Sequence, residues 1–153
     1  MDDKTSLVEV HVFRIINSKM EFLILERAPN KFYHGIWQMV TGKIEKGEKA
    51  YETAIREVTE ETKLKIEKLW VVPNVNTFYS SEENSIYNVP VFAVKVNNKS
   101  VVKVSSEHSQ YKWVDFIEAE ESFAWEGQKK SLKILTDYYL NKKEYLDRLE
   151  ITF

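Results

Sequence analysis

The chain contains no cysteine. That excludes a disulfide framework, a thiolate metal site and cysteine-dependent chemistry. Proline and glycine are scarce, three and four in 153 residues, so the chain is not collagen-like, low-complexity or linker-rich. Excess charge of either sign is also missing. Lys and Arg number 22 against 24 Asp and Glu, a formal net charge of -2, which gives no reason to expect a nucleic-acid partner. No apolar run approaches the roughly 18 residues of a membrane-spanning helix. The start, MDDKTSLVEVHVFRI, has no basic region ahead of an apolar one and does not read as a signal peptide. The expectation is a cytoplasmic protein whose partners are neither nucleic acid nor membrane. What is present is 43% apolar and 30% charged residues, the balance of a soluble domain large enough for a real core. Residues 1–153 read as one domain, with no repeat or internal linker.

Leu7 to Ile16 alternates and is rich in Val and Ile, which predicts a strand. Asn17-Ser18-Lys19 predicts a turn and Glu21 to Glu26 the returning strand. Ala28 to Gly35 reads as a loop, and Ile36 to Val40 as a short strand leading to Thr41-Gly42. A helix is predicted over Lys49 to Thr62, with Tyr51, Ala54, Ile55 and Val58 as its apolar stripe. Leu64 to Val75 reads as strand up to a stop at Pro73-Asn74. Asn76 to Ser81 and Ile86 to Val96 are further strands, and Pro90 places the latter at an edge or at a bulge. Ser105 to Gln110 reads as a polar loop and Tyr111 to Val114 as a strand. Phe116 to Phe123 and Gln128 to Leu140 read as helices.

The helix before Leu64 ends in a crowd of acids. Glu57, Glu60 and Glu61 stand at i, i+3 and i+4. At about 100° per residue they share roughly a third of the circumference, beside the apolar stripe. Like charges at this spacing cost a few tenths of a kcal/mol each, and the helix dipole disfavours anions at its C-terminus. A chain that accepts both costs on one face points to a hard divalent cation held there.

The wider spacing is more specific. Gly42, five residues, Glu48, seven residues, then Arg56-Glu57-Val58-x-Glu60-Glu61-x-Lys63-Leu64 span 23 residues and resemble the Nudix box. One position departs: Lys63 stands where the box has a glycine that helps the helix finish in a left-handed turn. The resemblance implies an α/β fold, a Nudix-type α/β/α sandwich with a mixed β-sheet between helices. It implies Mg²⁺, or Mn²⁺, on Glu57, Glu60 and Glu61, and hydrolysis of a diphosphate bond in a nucleotide-like small molecule. A metal there would neutralise the polyphosphate and lower the pKa of bound water. By the same resemblance Arg56 orients a box glutamate, Glu48, through a bidentate fork, and Gly42 and Gly47 let the loop backbone approach the metal site.

A second block, Glu107-His108-x-x-Tyr111-x-Trp113-Val114-Asp115, is similar to segments that follow the box in many Nudix hydrolases. It makes Glu107 the candidate general base or a further metal ligand. His108 reads as a structural or solvated histidine, with a contact to substrate phosphate as the alternative. Trp37-Gln38-x-x-Thr41-Gly42 together with that block looks most like the dihydroneopterin triphosphate diphosphatases of the folate branch. The resemblance implies release of pyrophosphate from a pterin or (deoxy)nucleoside triphosphate. Sanitising of deoxynucleoside or oxidised nucleoside triphosphates is the alternative. A non-catalytic nucleotide-binding module on the same fold is another, opposed by the retained Glu48, Glu57, Glu60 and Glu61. Val40-Thr41-Gly42 replaces the Pro-Lys-Gly usual in dinucleoside polyphosphate hydrolases, which counts against that branch. Arg27 is the candidate for the outer phosphates. Trp37, Phe32, Tyr33, Phe78 and Tyr79 are the aromatics that could stack on a ring. A homodimer is compatible with the sequence.

Overall fold

A computed structural model describes residues 1–31 and 33–153; Phe32, one of the ring-stacking candidates, lies outside the described residues. The chain runs β1 (Asp2–Lys4), β2 (Leu7–Ile16), β3 (Lys19–Arg27), β4 (Trp37–Gln38), β5 (Val40–Lys43), α1 (Ala50–Thr62), β6 (Ile66–Ser80), β7 (Ser85–Val96), β8 (His108–Val114), α2 (Phe116–Ser122), α3 (Glu126–Asn141), α4 (Lys143–Asp147) and β9 (Glu150–Ile151). Among the described residues no helix is long and apolar enough to cross a membrane.

Strand β2 is the axis of a mixed sheet. It runs antiparallel to β3 and β5 and parallel to β7. Side chains of a strand alternate between faces, and here the two sets meet different layers. Val8, Val10 and Val12 pack with Ala54 and Val58 of α1. Phe13 packs with Trp70, Leu132, Leu135 and Leu146 on the other side, beneath α3 and α4. Burying each such side chain contributes about 1.5–3 kcal/mol. The result is the expected α/β/α sandwich, and β2 carries two cores at once. Asn17 and Ser18, both at positive φ (51° and 66°), form the tight turn that fixes Ile16 opposite Lys19.

Two expectations need correction and a third, left open between two readings, is decided. Strand β6 does not stop at Pro73 but runs on to Ser80. A register shift between Val71 and Val75 absorbs the residue that has no N–H to give. Of the two readings of Pro90 the bulge holds and the edge does not: β7 pairs with β6 on one side, with a register shift next to Pro90, and with β1 and β2 on the other. Pro90 is tolerated because it falls between the β1 pairing, which ends at Tyr87, and the β2 pairing, which starts at Val91, opposite the end of the β6 bulge. The segment expected as one strand over Ile36 to Val40 is two. Trp37–Gln38 pairs with β3 and Val40–Lys43 with β2, with Met39 fully buried at the crossover. Lys63 adopts the left-handed conformation of the glycine it replaces (φ 61°, ψ 16°), and its N–H donates to the Thr59 carbonyl. A side chain in that region costs about 1 kcal/mol.

Candidate active site

The acidic end of the site is built from the β5–α1 connection. Arg56 sits at the middle of α1 and points back at the loop. Its Nε donates to Glu48 Oε2 at 2.7 Å and its Nη2 to Glu48 Oε1 at 3.0 Å, the bidentate fork expected of this pair. Its Nη1 donates to Glu57 Oε1 at 2.7 Å and to Glu60 Oε2 at 3.3 Å, and Nη2 also reaches the Lys43 carbonyl. One guanidinium therefore ties the loop to the acidic helix face. Its hydrogen bonds, with the Glu45 N–H and the Thr53 hydroxyl, pull the Glu48 carboxyl down to about 2. Gly47 turns the loop at φ 85°. Gly42 serves differently: a Cβ there would overlap the Glu57 side chain, so the glycine is the space in which that carboxylate lies.

Glu57 and Glu61 are buried, and their acidities move apart. Burial pushes Glu57 up, against the pull of Arg56. Burial would push Glu61 up as well, but hydrogen bonds outweigh it and hold the acid below its ordinary range. His108 Nδ1 lies 2.9 Å and Ser105 Oγ 2.6 Å from Glu61 Oε2. Glu60 stays at the exposed rim. Among the described residues no three acidic or histidine side chains converge as they would around a metal ion. The donor set nevertheless fits a hard divalent cation: three carboxylates on one helix face, one of them buried and raised.

A cleft of about 1090 Å³ opens beside this face. Arg27, Gly42, Glu57, Tyr79 and Glu107 line it, as do Tyr33 and Phe78. Glu107 is exposed at the turn before β8, and its backbone carbonyl accepts from the Ala28 N–H. Trp37 is absent from this lining. It packs on the α3-side core with Lys112 Nζ 4.5 Å above its ring.

The far end of the cleft holds groups that sequence reasoning missed. Glu9 of β2 is buried and accepts from Asn76 Nδ2 at 3.0 Å and Gln128 Nε2 at 2.6 Å. Burial pushes its acid up despite the two amides. Two residues along the same strand face, His11 lies 2.7 Å from the Ser131 hydroxyl, and burial pushes its pKa down to about 3, so the ring is neutral. Trp125 meets Tyr33 edge-on at 5.5 Å between centroids. Phe78 stacks on Tyr87 at 5.1 Å, and the Tyr79 hydroxyl donates to Asn84 Oδ1. Tyr33 itself holds φ 59°, uncommon for a ringed side chain. Two signals for this end stood in the sequence. Glu9 is a charge flanked by Val8 and Val10 in the apolar first half of its strand, and Gln128 shares the helical stripe of Leu132 and Leu135.

The sandwich and the box-bearing loop and helix define the class, a Nudix hydrolase. The chain belongs to the NUDIX domain family, whose model matches residues 5–135. It is 29% identical over 109 residues to the asymmetrical bis(5'-nucleosyl)-tetraphosphatase of Caenorhabditis elegans, covering 71% of this chain and 77% of that one. It is 30% identical over 142 residues to a curated octanoyltransferase of Myxococcus xanthus. That match takes in 84% of this chain and spans 36% of the relative's length. A NUDIX hydrolase of Listeria monocytogenes superposes with a TM-score of 0.78 at 26% identity, covering 91% of this chain and 97% of that one. The dihydroneopterin triphosphate pyrophosphohydrolase of E. coli shares the fold at a TM-score of 0.63 and 23% identity, covering 82% and 92%. The residues at the start of the box, Val40-Thr41-Gly42, thus do not keep dinucleoside tetraphosphatases out of the set of relatives.

Proposed function

We propose that this protein is a divalent-metal-dependent pyrophosphohydrolase that cleaves a pterin or (deoxy)nucleoside triphosphate and releases pyrophosphate. The observation that carries the reading is Arg56 bridging Glu48 and Glu57 while Gly42 makes room for Glu57. Mg²⁺ or Mn²⁺ on Glu57, Glu60 and Glu61 would neutralise the phosphate chain and acidify a bound water. The protein's own groups do the rest. Arg56 holds two carboxylates in fixed orientation through charge-assisted bonds. His108 and Ser105 hold Glu61 by one oxygen. Glu107, exposed on the cleft wall, is the group placed to take a proton from the attacking water. Arg27 lines the same cleft and supplies a fixed positive charge for the outer phosphates.

A second reading, cleavage of a dinucleoside tetraphosphate, draws support from the curated relatives. It also draws support from two aromatic groups in the cleft, Tyr33 with Trp125 and Phe78 with Tyr79, which could receive two rings. The test is a panel with Mg²⁺: dihydroneopterin triphosphate, dGTP, dATP and diadenosine tetraphosphate, with products separated by chromatography. The pterin substrate leading in kcat/KM, with pyrophosphate released, supports the folate assignment. A deoxynucleoside triphosphate leading makes the protein a nucleotide-sanitising enzyme, and ATP and AMP from the dinucleotide favour the second reading. No turnover of any of the four overturns the proposal.

A further inference from the structure

The floor of the cleft at its α3 end carries a polar cluster that the proposed reaction does not use. Glu9 is 6% and Gln128 3% exposed, and both line the cleft. The Glu9 carboxylate meets two carboxamides, Asn76 Nδ2 at Oε1 and Gln128 Nε2 at Oε2. Two bonds leave about half of the acceptor positions of a carboxylate unused. Gln128 Oε1, also buried, has no hydrogen-bond partner among the described residues. Burying an acid against neutral donors and leaving an amide oxygen unpaired both oppose folding. The surrounding chain enforces the arrangement all the same. A Cβ on Gly127 would overlap the Asn76 carboxamide, so the first turn of α3 is kept bare to seat it.

We propose that Glu9, held by Asn76 and Gln128, reads the 2-amino-pyrimidinone edge common to guanine and pterin rings. That edge offers two adjacent donors, a ring N–H and an exocyclic amine. Their spacing matches the two oxygens of a carboxylate, as in other fork-to-fork pairs. Adenine sets a ring nitrogen lone pair beside its amine, and a carboxylate repels it. The two amides fix the plane of the carboxylate, and the exposed face of Trp125, two residues before Gly127, offers a surface for the ring. The inference rests on the cleft being the nucleotide site of the proposed function, and it selects the ring that site accepts.

The test is calorimetric binding of dGMP and dAMP to the metal-free protein, wild type and Glu9→Gln. The wild type is expected to prefer dGMP by about tenfold or more, the discrimination typical of a good bidentate contact. Glu9→Gln is expected to bring the two affinities to within about twofold of each other, with the loss on the dGMP side, because an amide accepts at only one of its two terminal atoms and its NH2 meets the second ring donor head-on. A melting curve establishes that the variant is folded. Should it not be, Asn76→Ala at a half-buried position replaces it, with a smaller loss in the same direction. Equal affinities in the wild type, a preference for dAMP, or a preference untouched by both variants overturns the inference. Neither metal nor turnover enters this measurement. A protein that prefers dGMP but hydrolyses no triphosphate would overturn the proposed function and leave the ring reader standing.

Discussion

At one end of the cleft Glu48 and Glu57 share the permanent charge of Arg56; at the other Glu9 meets two neutral amides. Both ends bury carboxylates, and the electrostatic outcome differs. The fork pulls the half-buried Glu48 down to about 2, whereas burial wins at Glu9, as it does at Glu57 despite Arg56, and pushes both up. An acid whose pairing outweighs its burial, as at Glu48, is ionised at every physiological pH. An acid among amides is a costly acceptor whose free lone pairs favour a donor-rich ligand. The same residue type thus suits opposite tasks, and its neighbours decide which.

The sharpest way to break the contrast is at the acidic end. Glu60→Gln and Glu61→Gln are expected to lower kcat by roughly a thousandfold each with the fold intact, since a metal contributes several kcal/mol to such a reaction. Steady-state kinetics with circular dichroism checks this, and near-normal turnover in both would sink the metal assignment. Arg56→Lys comes next. A lysine is a point charge that cannot span Glu48 and Glu57 as a fork, and a loss of about 10–100-fold in activity is expected, as for other groups that orient metal ligands. Metal titration followed by kinetics separates weaker metal binding from slower chemistry.

The amide end should respond with the opposite sign. Replacing the Glu9 carboxylate by an amide removes a buried charge, and Gln128 can turn its carboxamide so that Oε1 accepts from the new NH2, so Glu9→Gln is expected to gain about 1 kcal/mol at neutral pH, read as a rise of a few degrees in Tm. A lower Tm would show that the carboxylate is adequately solvated where it lies. The smallest effect is the pH dependence set by Glu48. Its folded acidity is depressed, so its contribution to stability is present above the ordinary carboxylate range near pH 4.5 and is lost as pH falls toward about 2. In Glu48→Gln the Tm should fall less steeply over that window than in the wild type. Parallel curves would remove the fork from the account of acid stability.

The two ends also differ in how far the sequence discloses them. Gly42, Glu48, Arg56, Glu57, Glu60 and Glu61 lie within one loop and one helix, and helical periodicity alone puts the acids on a shared face. The far end is assembled across the fold: Asn76 is 67 and Gln128 119 positions from Glu9. No local spacing encodes such a meeting; the parallel pairing of β2 with β7, the antiparallel pairing of β7 with β6 and the docking of α3 together produce it. Trp37 shows the converse. Its place beside Gln38 and Gly42 suggested the cleft, yet the short β4 turns it onto the α3-side core, where Lys112 covers it. Pro73 looked like a strand limit because a missing N–H is a local fact, whereas the bulge that accommodates it belongs to the sheet. The left-handed turn at Lys63 was legible from the box, and the structure keeps it at the expense of a strained side chain.

The position of β2 has a consequence for how the chain acquires its shape. Its parallel partner in β7 begins at Val91 and its polar contacts on α3 come later still, at Gln128 and Ser131. Pairings so distant in sequence slow folding, because the loop must close before any contact rewards it. During synthesis the β2–β3 hairpin can form early, with one edge of β2 bare until β7 arrives. That edge is the expected point of misassembly for nascent chains. Proteolysis of chains arrested before residue 91 and after residue 131 should show protection of Val8 to Phe13 in the longer chain alone, and equal protection in both would mean that the hairpin stands by itself.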